Sequence, residues 1–223
     1  IFGGIKRIGL VAGRIVPIMV LIYLLGGLGI LIKNYDKLGS IFNLIITDAF
    51  TGNAVVGGIV GEVIRQGIRR AVFSNEAGLG TEVMAHGAAK TKEPVREGLV
   101  AMIGPFIDTI LVCSITAFAI LVSGVWNDPT LNGVSMTAKA FSNELGFLGE
   151  FILFFSVFTF SVTTMFGQSY YGAKCTGFLF GSRWKVNYNW FYVLSTIFGA
   201  TVSISIVINL IDGMYALMAI PTM

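Results

Sequence analysis

The chain has 223 residues, 55% of them hydrophobic and 12% charged, with a formal net charge of +3 and a mean hydropathy of +0.81. A soluble domain of this size carries roughly twice that charged fraction, so the composition excludes an ordinary water-soluble enzyme or binding module and points to an integral membrane protein. Nucleic acid is not implied by the positive charge, because Lys and Arg sit beside apolar runs, and the two cysteines (Cys113 and Cys175) supply neither a disulfide framework nor a metal cluster.

A bilayer crossing needs about 20 mostly apolar residues. The runs that meet this are 15–32, 41–60, 99–125, 147–171 and 188–210, with a partial sixth from 215, all within one transmembrane domain over 1–223. If these spans alternate, twelve of the fifteen Lys and Arg fall on one side, and only Lys33, Lys37 and Lys139 on the other. The positive-inside rule makes the richer side cytoplasmic, so the second span runs from outside to inside. The chain starts at Ile1 and stops at Met223 within an apolar run, and it reads as a fragment.

The second run, IFNLIITDAFTGNAVVGGI, is interrupted by Thr47, Asp48, Thr51, Gly52, Asn53 and the pair Gly57-Gly58. A carboxylate near the middle of a span costs at least about 2.5 kcal/mol unless it meets water or a partner. Glycine and small hydroxyl residues weaken the helix and free backbone groups to bind something. Together they predict a helix broken near the bilayer midplane, the usual seat of a transporter's substrate. The competing reading is a packing helix that uses small residues for close contact.

The loop from Gly61 to Glu97 follows. Arg65 to Arg70 extends the second span as a basic amphipathic stretch at the membrane surface. Next comes Arg70-Ala71-Val72-Phe73-Ser74-Asn75-Glu76-Ala77-Gly78-Leu79-Gly80, then a small-residue helix with His86, and Pro94 at a helix start. A single histidine without neighbouring ligands is no metal site. The glycines lack the Gly-Lys-Ser/Thr that a phosphate loop requires.

The run Arg70 to Gly80 resembles the signature of the alanine or glycine:cation symporter family, the sodium:alanine symporters. Gly4-Ile5-Lys6-Arg7-Ile8 with Val16-Pro17 resembles the start of that family's fifth helix. Phe106-Ile107-Asp108-Thr109 with Cys113 and Thr116-Ala117 resembles its seventh, and Asp212 with Leu217-Met218-Ala219-Ile220-Pro221 the start of its tenth. The resemblance implies an all-α membrane fold of five-plus-five inverted repeats, shared with the amino acid and neurotransmitter transporters. This chain would hold helices five to ten, with helix six broken and the first four helices outside it.

Site residues follow from the same resemblance. Phe50 would wall the side chain of a small neutral amino acid, with Thr51, Gly52 and Asn53 offering freed backbone groups to its polar end. Asp48 stands where the family more often has serine. It would pair with the substrate ammonium, bind the coupling cation or carry a proton; the alternative places it at the outer interface, reaching water. Thr163 and Thr164 would ligate sodium, a hard cation suited to oxygen ligands, and Thr164 and Gln168 would line the pocket. The bland reading is that such hydroxyls bond back to their own helix. Gln168 stands where the family commonly has tryptophan, and Ala173 where it often has glutamate. The change opens volume and adds two donors and an acceptor, which favours a substrate larger or more polar than alanine, such as glutamine or serine. Ser74, Asn75 and Glu76 would gate the site or cap a helix. Asp108 has two readings, ion coupling and structural pairing.

These features predict a sodium-coupled symporter that imports a small neutral amino acid across the cell inner membrane by alternating access, with the lipid bilayer as its surroundings, no nucleic-acid partner, no organic cofactor and sodium as coupling ion. A proton-coupled transporter is the nearest alternative. A channel would line a pore with polar rings, whereas polarity here gathers at a helix break. An intramembrane enzyme would need a catalytic pair, and Asp48 and Asp108 lie in no recognisable protease context.

Overall fold

The structure is a computed structural model that describes residues 4–50, 65, 67–68, 71, 74–76 and 80–219. Regular structure among the described residues is helical throughout, with no strand. In a bilayer interior this is expected, since a helix satisfies its backbone groups within one segment where no water can do so.

Helix α1 is Gly4–Lys33 and α2 is Tyr35–Phe50. A short helix α3, Thr81–His86, precedes α4, Pro94–Pro105. Phe106–Cys113 then winds as a π-helix into α5, Ser114–Ser123. Helix α6 is Val134–Leu145, α7 Phe147–Phe180, α8 Trp184–Gly199 and α9 Ile204–Ala219. Among the described residues, three continuous helical stretches are long and apolar enough to cross a membrane: Arg7–Lys33, Pro94–Ser123 and Phe147–Phe180, of 27, 30 and 34 residues. At about 1.5 Å per residue each exceeds the roughly 30 Å hydrocarbon core. Much of their apolar surface stays exposed, including Leu21, Met102 and Phe154, as suits helices solvated by lipid.

One difference from the sequence reading has a local cause. The interval 188–210, read as one span, is two helices, because α8 stops at Gly199 and α9 starts at Ile204. The Thr201 hydroxyl bonds back to the Phe198 carbonyl, and Ser203 supplies the carbonyl for the first amides of α9. Such local bonds offer the backbone an alternative to the helix ladder that hydropathy does not register. The second span was read as 41–60; its first part lies in α2, and 51–60 falls outside the described residues.

The chain divides into two compact units, 1–14, 76–102 and 161–223 in one, and 15–75 and 103–160 in the other. The second has a core of Tyr23, Ile30, Ala119, Phe141 and Leu153. Tyr23 stacks on Phe141 with ring centroids 5.4 Å apart, and its hydroxyl is 2.6 Å from Thr116 Oγ1. Because Thr116 donates to the Val112 carbonyl, Tyr23 donates to Thr116, so a polar tip inside an apolar core is satisfied. Close approach depends on Gly26, facing Ile152 and Phe141, and Gly27, facing Ile115. At the end of α1, buried Asn34 donates to the Ile30 carbonyl and, at 2.8 Å, to Glu144, while the Lys33 ammonium lies 3.4 Å from that carboxylate. These bonds set the α1–α2 turn against α6.

Any side chain at Gly27 would drive into Ile115. Gly27→Val is therefore expected to cost about 1–3 kcal/mol of stability, read as a lower unfolding midpoint in detergent. An unchanged midpoint would show that α1 does not pack there.

Candidate functional site

In the other unit, α7 presents Thr163, Thr164, Gly167, Gln168 and Tyr171 to one cavity, which Glu76 also lines. The cavity is about 210 Å³. The spacing from 163 and 164 through 167 and 168 to 171 is that of successive helical turns, so one face of an otherwise apolar helix turns polar at this height. Gly167 keeps the middle of that face free of side-chain bulk.

Gln168 donates from Nε2 to Glu76 Oε1 at 2.9 Å. Glu76 has φ +52°, in the left-handed region that non-glycine residues rarely occupy. The backbone turn and the Gln168 bond together aim its carboxylate at α7. Beside this face, α7 is braced by α8. Gly172 abuts the Tyr188 hydroxyl so closely that any β-carbon would meet it, and Tyr192 donates to the Met165 carbonyl at 3.1 Å. One turn beyond Tyr171, Cys175 contacts Met84 of α3 at 3.8 Å.

Ser74 and Asn75 belong to the other unit. Ser74 Oγ donates to Asp108 Oδ2, and Thr109 Oγ1 donates to Asn75 Oδ1 at 2.8 Å. Asp108 and Thr109 both lie in the π-helical stretch, whose wider turn departs from the α ladder, a feature frequent at functional positions. Asp108 is thus engaged by the signature loop.

The structure brings Thr163, Thr164, Gln168 and Glu76 to one cavity. Asp48 is exposed on α2 and is not among the lining residues, while the neighbouring Thr47 hydroxyl bonds back to the Asn43 carbonyl. Phe50 is the last residue of α2, and Thr51, Gly52 and Asn53 lie outside the described residues. Sequence reasoning missed Tyr171 and Gly167, which the helical spacing from Thr163 and Thr164 marks, and it missed the Glu76–Gln168 pair, for which no sequence spacing gives a signal. It also missed the contact of His86 Nδ1 with Glu97 Oε1 at 2.7 Å, which ties α3 to α4 beside a cavity of about 470 Å³. Among the described residues no three His, Cys, Asp or Glu side chains group as a metal site.

The sodium:alanine symporter family model matches residues 1–223. The chain belongs to that family. It is a family of transporters, not enzymes, described by the pairing of sodium with alanine. An uncharacterized transporter of Haemophilus influenzae is 38% identical over all of this chain and 50% of its own length. The sodium/alanine symporter AgcS of Methanococcus maripaludis is 41% identical over 100% of this chain and 50% of its own length. A probable sodium/glutamine symporter, GlnT of Bacillus subtilis, is 34% identical over 99% of this chain and 46% of its own length. The chain spans about half the length of the curated relatives it matches.

Asp108→Asn keeps an acceptor for Ser74, whereas Asp108→Leu removes it. With Ser74 exposed, the leucine variant is expected to lose about 1 kcal/mol, or roughly 2–4 °C in melting temperature, and the asparagine variant to melt near wild type. Equal melting of the two would show that the Ser74 bond contributes nothing.

Proposed function

We propose that the protein is a sodium-coupled symporter that imports a small neutral amino acid across the cell inner membrane by alternating access. The observation that carries this reading is the polar face of α7, where two threonine hydroxyls, a glutamine amide and the Glu76 carboxylate share one cavity in a family of sodium-linked amino acid carriers. Within the single transmembrane domain, the helices correspond to the fifth to tenth of a five-plus-five inverted repeat, and the sixth is broken at Phe50 to Asn53. There Phe50 walls the substrate side chain, and backbone groups of Thr51, Gly52 and Asn53 hold its charged ends.

Thr163 and Thr164 supply hydroxyl oxygens to sodium. Asp48 pairs with the ammonium or the coupling ion, and Ser74 and Asn75 steady the cytoplasmic gate through Asp108 and Thr109. Gln168 replaces the bulk of an indole with an amide, so the pocket accepts a longer or more polar side chain than that of alanine. The relative named as a probable sodium/glutamine symporter supports this direction.

The test is uptake of labelled alanine by the full-length protein in proteoliposomes, with and without an inward sodium gradient, competed by glycine, serine and glutamine. Sodium-driven uptake with effective competition by glutamine or serine is expected. Uptake driven equally well by a proton gradient alone would overturn sodium coupling, and strict preference for glycine would overturn the enlarged pocket. Gln168→Trp is expected to weaken glutamine competition by about tenfold while sparing alanine. Asp48→Asn is expected to reduce sodium-driven uptake, and unchanged uptake and ion dependence would remove Asp48 from the site.

A further inference from the structure

Glu76 lies in the loop between spans, yet its side chain lines the cavity on α7 together with Thr163 and Thr164. We infer that Glu76 is the charged ligand of the coupling cation, completing with the hydroxyls of Thr163 and Thr164 an oxygen site for a small hard cation. This inference rests on the symport reading above and assigns Glu76 a role beyond holding the loop.

Four observations carry it. The lining contributes one carboxylate and, among the described residues, neither Lys nor Arg, so its formal charge is negative. A carboxylate beside a membrane-spanning helix is costly to leave uncompensated, and a cation is the natural complement. Second, the ligand chemistry is uniform in kind. Carboxylate and hydroxyl oxygens are the hard donors a sodium-like ion takes, and no soft or imidazole ligand intrudes.

Third, the carboxylate is positioned rather than loosely tethered. Gln168 donates to Oε1 at 2.9 Å, and a carboxylate has further lone pairs with which to meet an ion. Fourth, Glu76 is held at φ +52°, a conformation that glycine would adopt freely. A strained non-glycine residue persists where its surroundings over-determine it, and such residues gather at functional sites. Here the strained residue is the one that carries the charge.

The experiment measures the sodium dependence of alanine uptake by the full-length protein in proteoliposomes for wild type, Glu76→Gln and Glu76→Asp. Glutamine retains an oxygen to accept the Gln168 amide and so keeps the loop in place while removing the charge. The expected result is a sodium half-saturation at least about tenfold higher in Glu76→Gln, since cation affinity follows ligand charge. Glu76→Asp should fall between, with alanine half-saturation at saturating sodium changed less than about twofold. Sodium-dependent thermal stabilisation of the purified proteins gives the same ranking without transport. An unshifted sodium dependence in Glu76→Gln, or a change confined to alanine half-saturation, overturns the inference while leaving symport standing. Indifference of the wild type to sodium brings down the symport reading itself.

Discussion

A hydrocarbon layer supplies no hydrogen bonds, so every polar group carried into it must be satisfied by the protein or used by it. This constraint sorts the polar side chains of the described helices. Ser156 and Thr176 bond back to carbonyls one turn earlier, at 2.7 and 2.8 Å, and serve only themselves. Tyr23 donates a hydrogen bond to Thr116 and ties α1 to α5 within one core. Gln168 and Glu76 answer each other but still present oxygen to a cavity. Only the last group is both satisfied and available, which is the condition a binding site must meet.

The same solvent removes the hydrophobic drive between helices and leaves close packing to hold them. Gly26 and Gly27 let α1 approach Ile152 and Ile115 in one unit, and Gly172 lets Tyr188 approach α7 in the other. The second contact bears on the site directly. It sits on the helix that carries Gln168, one turn further along, so the polar face of α7 is displayed from a braced element rather than a free one.

How much of this was legible in the sequence differed by feature. The helical membrane class follows from apolar length, a property summed over twenty or more residues; the spans read as 15–32, 99–125 and 147–171 overlap the helical stretches Arg7–Lys33, Pro94–Ser123 and Phe147–Phe180. The polar face of α7 was legible at Thr163, Thr164 and Gln168 through the family resemblance, which marks those positions in an otherwise apolar run. The turn between Gly199 and Ile204 was not, because one hydroxyl bonding backwards changes the chain path without changing hydropathy. The π-helical turn at Asp108 leaves no compositional mark either. Glu76 illustrates a further limit: its partner lies 92 residues away, and only the folded chain brings carboxylate and amide together.

The central claim is that the polar face of α7 around Thr164 contacts amino acid and sodium. The most direct test is thiol labelling at that face. Cys113 and Cys175 are both exposed, so the full-length protein is first made free of these thiols, and Thr164→Cys is then introduced. Reaction with a small water-soluble methanethiosulfonate is followed in membranes with and without substrate and sodium. The account predicts that Thr164→Cys reacts readily in the absence of both and is protected when amino acid and sodium are present together. Labelling at the same rate in all conditions would contradict it.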